Sequence, residues 1–235
     1  LKEGVHTDHA NREKLAKLLR FESSEAEEMT SLTDYVSRMK DGQEAIYFIS
    51  GPDKAFLSKS PHIEGLKAKG FEVLFFTDAV DEWIGMGLPD FDGKKLVSAT
   101  KGELKLDEED EKNDDEAKDG EDSEKTDDAK DEDDALVTAI TENLSEKIGK
   151  VRYTERLTTS PVCLVSGQFD PGANLERILK AHGQGGGVPG GKRTLELNAK
   201  HPLIANLKAL AEKEANADQL KGWTALLYDQ ALLTE

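Results

Sequence analysis

The sequence predicts two units in succession: a small three-layer α/β subdomain containing a βαβ element, then a mixed α+β domain that ends in long helices. Three observations carry this. Two apolar runs rich in aromatic and β-branched residues, AIYFIS at 45–50 and FEVLFF at 71–76, flank a helical stretch, the pattern of buried strands joined by a crossover helix. A strongly acidic run at 107–134 divides the chain, and beyond it strand-like and helix-like segments precede two amphipathic helices. At 235 residues the chain is long enough for two cores, since domains usually hold roughly 100–200 residues.

In the first part, NREKLAKLLR at 11–20 places Leu15, Leu18 and Leu19 on one helical face behind a cap near Asp8 or Asn11. SLTDYVSRM at 31–39 is a second short helix, with Leu32, Tyr35, Val36 and Met39 at helical spacing. Residues 45–50 and 71–76 are strands, bounded by Gly51–Pro52 and by Gly70. Between them DKAFLSKSPHIEGLKAKG is helical, interrupted at Pro61 and stopped at Gly70. The two strands should be parallel, with a right-handed connection. DAVDEWIGMG adds a short helix and KKLVSAT a third strand.

The second part opens with ALVTAITENLSEKIG at 135–149, a helix whose Leu136, Ile140, Leu144 and Ile148 form an i, i+4 stripe stopped by Gly149. VRYTERL at 151–157 alternates and PVCLVSG at 161–167 is nearly continuous in apolar residues, so both are strands. ANLERILKAHG at 173–183 is a helix with Leu175, Ile178 and Leu179 on one side, RTLELN at 193–198 a strand, and HPLIANLKALAEK at 201–213 a helix. The last helix, 218–235, turns Leu220, Trp223, Leu226, Leu227, Ala231 and Leu233 toward its apolar side.

The net charge of −17 is concentrated: residues 107–134 hold 18 acidic residues and 4 lysines, leaving 27 basic and 30 acidic residues elsewhere. The remainder carries no basic stripe to meet phosphates, which excludes a nucleic-acid binder. The acidic run has no apolar residue larger than alanine, so it is expected to be a solvated, disordered linker. The chain starts at Leu1 with no leader pattern and is expected to be an interior piece of a longer, soluble protein. Its single cysteine, Cys163, sits between Val162 and Leu164; it is expected to be a core thiol in a reducing, cytoplasmic setting.

GQGGGVPGGKRT at 183–194 nearly spells a nucleotide-binding loop. Gly186, Gly191 and Lys192 match a phosphate-binding loop, but Arg193 stands where a Ser or Thr must hold Mg²⁺. The flanks run helix first and strand second, the reverse of the order that aims a helix N-terminus at phosphate. The stretch reads as a connector. His6 and His9 lie three apart, while His62, His182 and His201 are scattered, so no metal site is expected. Asp78, Asp81 and Glu82 follow a strand where open α/β sheets bind ligands; they fit acid/base work, while Asp78 fits equally a helix cap. Trp83, Ile84 and Met86 in one segment, and Leu175, Ile178 and Leu179 in another, are either ordinary packing or adhesive patches for a protein partner.

LKEGVHTDHANREKLAKLLRFESS, SLTDYVSRMKDGQEAIYFISG, LKAKGFEVLFFTDAVDEW, ERILKAHGQ, LELNAKHPLI and LLYDQALLTE, in that order, make the chain resemble the heat-shock protein 90 chaperones, most closely their bacterial form. The resemblance covers nearly everything except 107–134 and the glycine loop. It implies the C-terminal part of the middle region at 1–106, a linker at 107–134 and the C-terminal dimerisation domain at 135–235. It implies client-binding residues at Trp83, Ile84, Met86, Leu175, Ile178 and Leu179, and a dimerisation helix carrying Leu220, Trp223, Leu226, Leu227 and Leu233. In that family ATP and Mg²⁺ belong to an upstream domain, so this piece is expected to be a non-enzyme with no cofactor of its own. Its expected partners are unfolded or partly folded clients and a second copy. The family's pattern continues past LLTE with a further helix, so this piece alone is expected to dimerise weakly or not at all. Two other readings stand beside it: a purely structural dimerisation scaffold, and a small α/β enzyme using Asp78, Asp81 and Glu82.

Overall fold

The computed structural model describes residues 1–104, 106, 134–181, 183, 191–212 and 217–235. The expectations placed on 107–133, on 184–190 and on His182 lie outside the described residues.

Helices α1 (Lys2–Thr7) and α2 (Arg12–Ala16) lead into strand β1 (Glu22–Ser23) and helix α3 (Leu32–Arg38). Strand β2 (Ala45–Ser50), helix α4 (Lys54–Leu57), a 3₁₀ turn (Pro61–Ile63), helix α5 (Glu64–Ala68) and strand β3 (Val73–Phe76) form the crossover unit. Helix α6 (Asp81–Gly87) and strands β4 (Asp90–Phe91) and β5 (Lys94–Ser98) complete a five-stranded sheet of order β1-β3-β2-β5-β4. Strand β2 runs parallel to both β3 and β5, and the short edge strands are antiparallel.

Because strand side chains alternate between faces, Ile46, Phe48, Leu74 and Phe76 meet Val5, Leu19, Leu32 and Ile84 on one side. Tyr47, Ile49, Val73 and Phe75 meet Leu57, Ile63 and Leu66 on the other. Burial on both faces is why AIYFIS and FEVLFF read as unbroken apolar runs. Side-chain caps start the short helices: Ser31 Oγ accepts from the Asp34 amide at 3.0 Å, and Asp53 Oδ1 from the Phe56 amide at 2.8 Å. The helix expected over 11–20 ends at Ala16. Leu18 and Leu19 donate to the carbonyls three residues back, tightening the last turn, so Leu19 is buried while Leu18 points to solvent.

In the second part, helix α7 (Ala135–Asn143), strands β6 (Ile148–Tyr153) and β7 (Val162–Val165), helix α8 (Ala173–Ala181), strand β8 (Arg193–Leu197) and helices α9 (Pro202–Ala211) and α10 (Ala217–Leu233) follow in turn. The sheet order is β6-β8-β7, with β6 parallel and β7 antiparallel to β8. Val151, Leu164 and Leu195 pack against Leu136, Ile140, Leu207, Leu220 and Leu227. Helix α7 is shorter than expected: the Lys147 and Ile148 amides both turn back to the Leu144 carbonyl, and Ile148 opens β6 opposite Arg193. The i, i+4 stripe was broken by pairing with a strand 45 residues away, a contact no local pattern encodes.

The two parts are knitted together by buried polar groups. The Ser166 amide donates to the Thr100 carbonyl at 3.1 Å, and the Gly102 amide to the Ser166 carbonyl at 2.9 Å. Arg156, with no exposed surface, donates to Glu196 at 2.8 Å, to the Gly102 carbonyl at 2.7 Å and to the Ala99 carbonyl. Arg152 holds the other Glu196 oxygen at 2.6 Å. Burial opposes the Glu196 charge, but the two guanidinium groups keep its carboxyl below the ordinary range. Glu64 of α5 accepts from the amides of Thr158, Thr159 and Ser160 at 2.8–3.0 Å and from the hydroxyls of Thr159 and Ser160 at 2.7 Å. His62 Nε2 donates to the Leu164 carbonyl at 2.7 Å.

Candidate functional site

Helix α6 presents the first wall of a groove. It starts at Asp81 behind Val80, with no side-chain cap, which corrects the reading of Asp78 as its cap. Asp78 accepts instead from Lys2, whose Nζ lies 2.6 Å from Asp78 Oδ2 and 2.7 Å from Asp81 Oδ1. Burial pushes the Asp81 carboxyl up against the pull of Lys2. Glu82 faces elsewhere: its Oε1 accepts from Asn174 Nδ2, in the first turn of α8, at 2.7 Å. The three carboxylates therefore do not converge on one reaction centre.

One helical turn sorts the segment DEWIGMG. Ile84 is fully buried in the core, whereas Trp83 and Met86 remain 40% and 49% exposed. Gly85 lets the helix settle onto the sheet, since a Cβ there would stand 2.9 Å from the edge of the Phe48 ring. Behind Trp83 the His6 ring sits 5.8 Å away, centroid to centroid.

Opposite stands α8. Leu175 is buried and Ile178 and Leu179 are half-buried; Leu175 and Leu179 line a groove of about 610 Å³ shared with Trp83, Met86 and Phe56. Its floor is Ser50 at the carboxyl end of β2, with Ser98 and Thr100 at the end of β5. The chain crosses from one side of β2 to the other between β3 and β5, so the groove lies at the switch point where open α/β sheets bind ligands. At its mouth Phe169 is 99% exposed. The structure thus unites the two patches that the sequence showed separately. Phe56, Phe169 and Asn174 were missed; an aromatic ring inside the polar turn GQFDP was the one available signal.

The residues assigned to dimerisation split between two faces of α10. Leu220 and Leu227 are buried in the core of their own chain, while Trp223, Leu226 and Leu233 are 37%, 55% and 82% exposed. Cys163 is buried 3.9 Å from Glu196, and burial drives its thiol well above the ordinary value.

The described end of the near-phosphate loop does not fit a nucleotide. Lys192 donates to the Ser145 carbonyl at 2.6 Å, and Arg193 opens β8 while pairing with Glu176 at 3.1 Å and Glu235 at 2.6 Å. Among the described residues no helix is long and apolar enough to cross a membrane.

The chain is of mixed α/β class, with two mixed sheets and an apolar groove at the carboxyl end of the larger one. Comparison with known families makes that specific: the family described as "Hsp90 protein" matches residues 1–235, and the chain belongs to the Hsp90 family. Its relatives include the "Chaperone protein HtpG" of Myxococcus xanthus, 46% identical over 235 residues, which spans all of this chain and 34% of that protein. Those of Geobacter sulfurreducens, 46% identical and 35% covered, and Chromobacterium violaceum, 47% identical and 36% covered, match the whole chain as well. The chain thus spans about a third of the length of these curated relatives.

The match corrects one expectation. The sequence reading set the chain apart as a non-enzyme with no cofactor of its own. The Hsp90 match runs over every residue and the chaperone relatives align along the whole of this chain, which overturns the expectation of a non-enzyme piece without a cofactor of its own.

Proposed function

We propose that this chain is the client-binding and dimerising portion of a bacterial Hsp90-family chaperone: the C-terminal part of the middle region at 1–106, a linker at 107–134 and the dimerisation domain at 135–235. The observation that carries the reading is the groove, where Trp83 and Met86 on α6 face Leu175 and Leu179 on α8. Exposed aromatic and thioether groups there give a partly unfolded segment apolar contact without a deep, selective pocket. Ile178 extends the same helix face. Ile84, buried beneath, positions Trp83. A purely structural scaffold predicts these side chains buried against one another; Trp83 and Met86 are open.

For the whole protein we propose an ATP- and Mg²⁺-dependent, cytoplasmic homodimer acting in the stress response and in protein folding, with Trp223, Leu226 and Leu233 of α10 contributing to the contact between copies. The groove reading is tested by fluorescence anisotropy of a labelled, permanently unfolded protein. Saturable binding that Trp83→Ala with Leu179→Ser weakens at least tenfold, with circular dichroism unchanged, is the expected result. Equal binding by the folded variant would remove the groove from the account.

A further inference from the structure

We infer that Phe169 is an additional client-anchoring residue, and that with Asp170 it selects segments in which apolar side chains alternate with lysine or arginine. This rests on the groove reading and names the kind of segment the groove takes.

Phe169 contributes nothing to the fold, since its ring is 99% exposed, yet the backbone that carries it is held in place. The Asp170 amide donates to the Gly167 carbonyl at 3.1 Å, closing a turn around the ring. The turn is anchored one residue earlier, where Ser166 exchanges two backbone hydrogen bonds with Thr100 and Gly102 of the first part. Pro171 follows and limits the exit. A ring presented this way loses little conformational freedom when covered, the property that makes aromatic anchors effective at interfaces. It stands at the mouth of the groove, with Phe56, Trp83 and Met86 along the same cleft.

The charge around the cleft states which segments fit. Glu82, Asp170 and Glu235 line it, against Lys101 as the one lining Lys or Arg among the described residues, and the lining His62 is held neutral by burial. Glu235 is engaged by Arg193 and Glu82 by Asn174. Asp170, next to the exposed ring in the chain and packed over Gly167 and Gly191, is the lining carboxylate that makes no ion pair among the described residues. Outside the acidic run at 107–134 the chain holds 27 basic and 30 acidic residues, so the charge that meets an incoming segment is that of the cleft itself.

The test uses this chain with two labelled peptides of equal length and identical apolar residues, one spaced with lysines and one with glutamates, in anisotropy titrations at low and at physiological salt. The lysine peptide is expected to bind at least tenfold more tightly at low salt, with the difference narrowing as salt rises. Phe169→Ala is expected to weaken both peptides about tenfold, and Asp170→Asn to reduce only the preference for lysine. Trp83→Ala is the control. If it weakens binding while Phe169→Ala does not, the anchor is wrong and the groove stands; if neither does, the groove itself falls. Equal affinity for the two peptides overturns the charge selection.

Discussion

Arg156 and Glu196 form an ion pair with essentially no exposed surface, Nε to Oε2 at 2.8 Å, at the junction of the two parts of the chain. The same guanidinium holds carbonyl oxygens of Ala99 and Gly102, just past the strand that floors the groove. Removing it leaves the buried Glu196 carboxylate and the Gly102 carbonyl with Arg152 as the remaining guanidinium, and takes this donor from the Ala99 carbonyl. Arg156→Met is expected to cost about 3–5 kcal/mol, read as a lower urea midpoint with an unchanged m-value. Arg156→Lys is expected to recover little, because a single ammonium cannot span three acceptors that a planar fork reaches.

Two groups at this junction give separable pH signatures. Burial raises the Glu64 carboxyl, but the hydroxyls and amides of Ser160 and Thr159 overcome it and hold it at about 2, against 4.5 when free. Its contribution is fully present above the free value and lost as pH falls toward 2; partial exposure limits it to about 1–2 kcal/mol. Burial lowers His62 to about 4, against 6.5, because its ring is held neutral and the unfolded chain takes up the proton first. That contribution is present above 6.5 and lost between 6.5 and 4. Denaturation of His62→Gln across pH is expected to lack the upper loss and keep the lower; Glu64→Gln is expected to do the reverse.

Gly65 lies where the backbones of the two parts touch. Its amide donates to the Arg156 carbonyl at 2.8 Å, and a Cβ would stand 2.7 Å from the Glu155 carbonyl oxygen and 2.9 Å from that of Arg156. Alanine favours the helix by about 1 kcal/mol, yet here it collides with backbone. Gly65→Ala is expected to destabilise by about 1–3 kcal/mol, measured by thermal unfolding, and to weaken peptide binding by shifting α8 away from α6.

Neighbouring leucines on α10 are expected to behave oppositely. Leu227, 1% exposed, belongs to the core, and Leu227→Ala is expected to cost about 2–5 kcal/mol. Leu226, 55% exposed, is expected to change stability by less than about 0.5 kcal/mol on substitution by Asp. Sedimentation velocity on Leu226→Asp should show weaker self-association than the parent chain.

Strands β2 and β3 were legible because each buries both faces: AIYFIS matches β2 residue for residue, and the parallel crossover followed from the helical stretch between them. Helix ends were less legible. Ile148 continued the stripe of α7 on paper but was claimed by β8, and Leu18 shared a helical pattern with Leu19 although the helix had already closed. The apolar character of α6 and α8 was evident, but not that Glu82 and Asn174 bring the two together. The junction was invisible: Arg152, Arg156 and Glu196 read as ordinary strand and loop charges, since only tertiary pairing makes a buried arginine tolerable. On α10 the periodicity gave one broad stripe where the structure has two: Leu226 and Leu227 stand about 100° apart around the helix, and the core takes up only the Leu227 side.

The central claim is that the groove between α6 and α8 holds client chain. A photoactivatable benzophenone placed at Met86, with a second version at Leu226 for comparison, tests it most directly when each is mixed with an unfolded protein and irradiated. The account predicts saturable crosslinks from position 86, competed by excess unlabelled client, and few from position 226. Crosslinking from 226 that matches or exceeds that from 86 would place the client elsewhere and contradict it.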